Sequence, residues 1–213
     1  MYVIDDLIQI REANTINPSG QYKGWADAWE VDRINGDTEK CPLCRRHTSG
    51  FKWLYPRKIR LTNTRYPDRL SSWISNELTV SERFVEAYNS TDLVGITKFN
   101  PIEIVSVASR RTVKRPPPKY FCADVIESKV RIDDDKSIIK GQKYDWSCEY
   151  CNPKGQTTDS IKLLVLDTAN WGGEDIFRVF MSSLFFATQK FVDFCTNNNF
   201  TNFVFTPVDK YKI

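Results

Sequence analysis

Two short stretches of the chain carry the period of a helix. Thr79-Val-Ser-Glu82 has the spacing of a capping box, and behind it Phe84, Val85 and Tyr88 fall on one helical face. Phe191, Val192 and Cys195 repeat that stripe behind Thr188, which aligns with Ser81 as an alternative N-cap, so the first helix is predicted to start within two residues of Ser81. These apolar positions read as core. The remaining apolar runs look strand-like. Ile102-Glu-Ile-Val-Ser-Val107 alternates imperfectly, Tyr120 to Ile132 is strand-like, and Ile161-Lys-Leu-Leu-Val-Leu166 suits a buried strand. Phe200 to Val208, rich in aromatic and β-branched residues, is predicted as a strand inside a sheet. Pro116-Pro-Pro118, an acidic turn at Asp133-Asp-Asp135, and Asn170-Trp-Gly-Gly173 punctuate the pattern.

The helical stripes stand 107 residues apart, and so do two cysteine pairs, Cys41-Pro-Leu-Cys44 and Cys148-Glu-Tyr-Cys151. Ser81-Glu-Arg-Phe-Val-Glu86 aligns with Thr188-Gln-Lys-Phe-Val-Asp193. Ile96-Thr-Lys-Phe99 followed by Pro101-Ile-Glu103 then aligns with Phe203-Val-Phe205 followed by Pro207-Val-Asp209, displaced by one residue. A tandem duplication is the simplest account. The expected fold class is α+β, with two related CxxC-helix-strand units packed into one body and joined by a zinc-ribbon-like site. The units are residues 1–112 and 113–213, the second following the proline-rich boundary, and together they can form one compact domain.

Composition narrows the class. With 41% hydrophobic and 27% charged residues the chain can bury a core. It lacks the basic start and apolar segment of a secretory signal and any run long enough to span a bilayer, so a cytoplasmic location is expected. The net charge of +3 divides into 14 basic and 14 acidic residues up to position 107, and 16 against 13 after it. Neither half is a basic domain. Local basic clusters, Arg57-Lys-Ile-Arg60 with Arg65 and Arg69, and Arg110 to Arg115, could touch phosphate, but short charge runs are usually solvated faces.

Six cysteines are too few for a disulfide scaffold, and paired CxxC motifs in a reducing compartment hold metal or do redox work. A CxxC turn offers two sulfurs to one tetrahedral Zn²⁺, and two turns complete a four-thiolate structural site. Because 104 positions separate Cys44 from Cys148, one shared site of Cys41, Cys44, Cys148 and Cys151 requires the two units to pack face to face. Two separate sites would need four more ligands from Cys122, Cys195 and the single histidine, His47, so one shared Zn²⁺ is favoured by counting. A thioredoxin-like redox pair or free thiols are the other readings. Cys122 and Cys195 are expected to be buried thiols, and Lys154 opposite His47 argues against a ligand role for that histidine.

With one histidine, no phosphate-binding loop and no nucleophile elbow, no catalytic residue is assigned. Glu174-Asp175 and Asp133 to Asp135 are expected to face solvent.

The residues quoted so far carry a resemblance. Cys41-Pro-Leu-Cys44, Cys148-Glu-Tyr-Cys151, Asp175-Ile-Phe177 and Thr188-Gln-Lys-Phe-Val-Asp193 leading into Phe203-Val-Phe205 resemble the double-CxxCG motif family of bacterial immunity proteins. The chain departs from that pattern at the glycine after each pair, where Arg45 and Asn152 stand. The resemblance implies an antitoxin that binds and neutralises a cognate polymorphic toxin by stoichiometric blocking. From composition and charge, no membrane partner is expected and nucleic acid is disfavoured, and no small-molecule substrate is expected. Trp25, Trp29, Trp73 and Trp171 are candidate interface anchors. The alternative is a zinc-ribbon nucleic-acid-binding protein.

Overall fold

The computed structural model describes residues 1–4, 26–48, 52–72, 77–108, 116–152, 154–180 and 182–212. Strands dominate. In chain order they are β1 (Tyr2–Ile4), β2 (Asp27–Val31), β3 (Lys58–Leu61), β4 (Arg69–Ser72), β5 (Leu78–Ser81), β6 (Ile96–Val107) and β7 (Tyr120–Val125), followed by β8 (Arg131–Ile132), β9 (Ile138–Lys140), β10 (Ser160–Leu163), β11 (Leu166–Asp167), β12 (Ile176–Arg178), β13 (Phe185–Ala187) and β14 (Phe205–Pro207). Among the described residues two α-helices interrupt them, α1 (Glu82–Asn89) and α2 (Gln189–Asn197).

The α+β class expected from sequence is therefore corrected. The fold is mostly β, built on a closed six-stranded barrel in the order β2-β3-β6-β7-β5-β4, with a four-stranded sheet β12-β13-β1-β14 beside it. The CxxC-helix-strand order fails because strands lie between each cysteine pair and its helix: β3, β4 and β5 in the first case, β10 to β13 in the second. Among the described residues, the two α-helices form where a hydroxyl N-cap precedes an apolar stripe. Ser81 and Thr188 accept hydrogen bonds from the N–H groups of Phe84 and Phe191, and the helices run for eight and nine residues. The C-terminal strand is also shorter than expected, and β14 is an edge strand. Asn199 and Asn202 take left-handed φ values of 51° and 68°, which turn the chain before it can pair.

Three apolar cores follow from these layers. The barrel interior is filled by Trp53, Ile59, Leu61, Leu70, Tyr120 and Cys122, among others. A second cluster, under β12, β13 and β1, contains Val3, Phe177 and Phe186. The largest lies around the helices, where fully buried Phe84 meets Phe191, Phe194, Phe200 and Phe203 at ring-centroid distances of 6.3, 5.6, 5.2 and 5.4 Å. Phe84 thus joins α1 to α2 directly.

The 107-residue interval recurs in the contacts. Strand β4 pairs antiparallel with β5 through Arg69↔Val80 and Leu70↔Thr79, and β12 pairs with β13 through Ile176↔Ala187 and Phe177↔Phe186. Asp68 accepts from the Ser81 hydroxyl at 2.8 Å, and Asp175 from the Thr188 hydroxyl at 3.0 Å. Each carboxylate also holds the chain that leaves the other helix: Asp68 accepts from the Thr201 N–H at 2.9 Å, Asp175 from the Val94 N–H at 3.0 Å. Arg83 and Lys190 hold equivalent positions. Arg83 grips Asp68 through Nε at 3.0 Å and Nη2 at 2.6 Å, and Lys190 lies 3.6 Å from Asp175. The central strands are exchanged as well. Strand β7 lies between β5 and β6, whereas β1, at the other end of the chain, lies between β13 and β14.

Candidate metal centre

Each cysteine pair sits on a tight knuckle closed by the same backbone bond. The Arg45 N–H donates to the Cys41 carbonyl at 3.0 Å, and the Asn152 N–H to the Cys148 carbonyl at 2.8 Å. Arg45 adopts φ 62°, the left-handed region where a Cβ is costly. Asn152 has no such φ, and the second knuckle closes without one.

The knuckles face each other. Cys41 Sγ is 3.8 Å from Cys148 Sγ, Cys44 Sγ is 3.5 Å from Cys151 Sγ, and all four sulfurs lie within 4.8 Å of one another. Every one is a free thiol, far beyond disulfide bonding distance. Around a tetrahedral ion with metal–sulfur bonds of about 2.3 Å, sulfurs stand about 3.8 Å apart. The four cysteines can therefore hold a metal ion. His47 is not in this group and contacts Thr38 Oγ1 through Nδ1.

Electrostatics at the cluster favour a cation. N–H groups of Cys151 and Tyr150 aimed at the Cys148 sulfur draw its thiol down to about 6. Burial, followed by the crowded sulfurs of Cys44, Cys148 and Cys41, pushes the Cys151 thiol upward instead. One thiolate forms readily there and a second is opposed, an opposition that a divalent ion removes. Trp146 and Phe180 pack against the cluster. Arg46 lies 4.0 Å over the Trp146 ring and Arg131 lies 4.5 Å over Phe180, closing the apolar surround with cations.

Cys122 and Cys195 are buried elsewhere, on β7 and α2. The Cys122 thiol donates to Glu77 Oε2 at 3.0 Å, and burial pushes both thiols up. Among the candidate anchors, Trp29 and Trp171 are exposed, while Trp25 and Trp73 lie outside the described residues, as do Arg110 to Arg115. Asp175 does not face solvent as expected; it is buried in the joint between α1 and α2. Neither Asp68 nor Asp175 stood out in the sequence as a joint, although they share the interval of the cysteines. Among the described residues, no helix is long and apolar enough to cross a membrane.

Comparison with known proteins places these features. Residues 7–210 match the Imm11 immunity protein family. No curated protein matches the chain. The matching family differs in name from the double-CxxCG family that the motifs resemble, and the two agree on the immunity class.

Proposed function

From membership of the Imm11 immunity protein family, to which this chain belongs, we propose that the protein is an antitoxin that binds a cognate bacterial toxin and neutralises it by stoichiometric blocking in the cytoplasm. The match over residues 7–210 carries this reading. A rigid barrel with exposed aromatic side chains suits a blocker, which needs a shaped surface and no reaction centre.

In the same reading, Cys41, Cys44, Cys148 and Cys151 bind one structural Zn²⁺. The four-sulfur donor set supports zinc over harder ions. Residues 1–112 and 113–213 are two copies of a strand-rich unit produced by duplication. The reciprocal Asp68 and Asp175 contacts support this, as do β1 and β7, each of which completes the sheet of the other copy. The ion then ties together the two knuckles, one from each copy.

The test is a titration of toxin activity with purified protein, using the toxin domain whose toxicity the chain relieves on co-expression. Inhibition should saturate at about one equivalent, as tight one-to-one complexes do. Full protection at a small fraction of an equivalent would mean turnover and would overturn the blocking reading.

A further inference from the structure

On the outer wall of the barrel, β2, β3 and β6 bring Trp29, Arg60 and Ser106 into one cross-strand row, through Trp29↔Arg60 and Arg60↔Ser106. Trp29 is 51% exposed, unusual for the largest apolar side chain. It does not lie flat on a smooth wall. Trp29, Glu30, Val31, Arg60, Thr62 and Ala108 enclose an open pocket of about 460 Å³.

The charge in that pocket is one-sided. Glu30 supplies its one carboxylate, but the side chain is 1% exposed and bonded to Arg33 at 2.8 Å, so it does not cancel Arg60. In the next row Lys58 stands opposite Glu103 in the register, so that row carries one charge of each sign. Arg60 makes no ion pair among the described residues. A tryptophan beside a guanidinium with no ion pair among the described residues, and with Val31 and Ala108 as apolar walls, has the composition of a binding hot spot. Because barrel strands hold both residues, little side-chain or loop ordering opposes docking. Among its described lining residues the pocket has one cation, Arg60, whereas phosphate tracks need several aligned cations.

We propose that the Trp29–Arg60 pocket is the toxin-docking site, and that its occupant is a toxin segment presenting a carboxylate beside an apolar side chain. The carboxylate meets Arg60 and the apolar group packs on Trp29. This rests on the immunity reading above. It adds to that reading a located surface and an acidic contact on the toxin.

The experiment measures the affinity of the full chain for the toxin domain identified by co-expression, by calorimetry, for Trp29→Ala, Arg60→Glu and Arg60→Met. Trp29→Ala and Arg60→Glu should each raise Kd by at least about 30-fold, the scale of a hot-spot loss. Arg60→Met should flatten the dependence of Kd on salt. Trp171→Ala, at the exposed turn before β12, serves as the control and should stay within about threefold of the unmodified protein, as contacts outside a hot spot do. Unchanged melting temperatures show that the variants are folded. Folded Trp29→Ala and Arg60→Glu proteins that bind within about threefold of the unmodified chain would overturn the pocket assignment and leave the immunity reading standing. An unmodified chain that binds no toxin would overturn both.

Discussion

Asp68 accepts hydrogen bonds from both the N–H and the hydroxyl of Thr201, each at 2.9 Å, across 133 residues of sequence. The residue ahead of β4 is thereby fixed to the chain leaving α2. Arg83 completes the joint by bonding the same carboxylate and the carbonyls of Asn198 and Asn199 at 2.9 and 3.1 Å. Removing the charge should be costly. Asp68→Asn is expected to lower unfolding free energy by about 2–3 kcal/mol, the scale of hydrogen bonds to an ionised group, as read by urea denaturation. A loss under about 0.5 kcal/mol would show that the joint contributes little.

The same group predicts an acid sensitivity. Burial alone would raise the Asp68 carboxyl, but bonds from Arg83, the Thr201 N–H, Ser81 and the Thr201 hydroxyl outweigh it and hold the group below the usual range. With the folded value depressed, its contribution to stability is present above the unfolded carboxyl pKa, and is lost as pH falls through the folded value. Melting temperature should therefore drop between about pH 4 and pH 2, and part of that drop should vanish in Asp68→Asn. An identical acid limb in the variant would assign the effect to other carboxylates.

Metal content separates the cysteines. Protein purified without chelator should carry about one equivalent of zinc, and less than half an equivalent would defeat the assignment. Cys148→Ser should remove the ion and cost several kcal/mol, because binding free energy is folding free energy at such a site. Cys195→Ser, within the helix core, should leave zinc bound and cost about 1–2 kcal/mol for burying a hydroxyl.

The two knuckles should respond differently to glycine. Arg45→Gly relieves a left-handed residue and is expected to stabilise by up to about 1 kcal/mol, whereas Asn152→Gly gains nothing and loosens the unfolded chain. Equal effects at the two positions would rule out backbone strain at Arg45 as their cause.

Phe84 offers a packing test. Its ring is fully buried between α1 and α2, so Phe84→Ala should cost about 3–5 kcal/mol in the same denaturation experiment. A cost below about 1.5 kcal/mol would show that the two helices do not rely on it.

The helices and the cysteine cluster were legible in the sequence because their signals are local and repeated. An N-cap hydroxyl three positions ahead of a buried phenylalanine needs no partner to be recognised, and a shared interval brings two CxxC turns together by counting. The barrel was not legible, because its closure rests on register between distant segments. Among the described residues strand β2 pairs with β4 through Asp27↔Ser71 and Ala28↔Ser72, and no local pattern in either strand specifies that match. Strand β6 hid for another reason. Its twelve residues mix exposed and half-buried positions around Pro101 and a single buried one, Ile102, so its two ends read as separate pieces. The Asp68 and Asp175 joints were missed because a carboxylate beside a turn usually faces water, and only the fold shows which N–H groups it receives.

The placement of β1 sets an order of events during synthesis. Tyr2–Ile4 is made well before the strands on either side of it, β13 and β14, which follow more than 180 residues later. Until they emerge, an apolar tripeptide that ends as the interior of a sheet has no partner on the growing chain. Its pairing closes a loop of more than 180 residues, and such closures are slow. The four-stranded sheet is therefore expected to form late, after the barrel, whose strands all lie between Asp27 and Val125, has already taken shape.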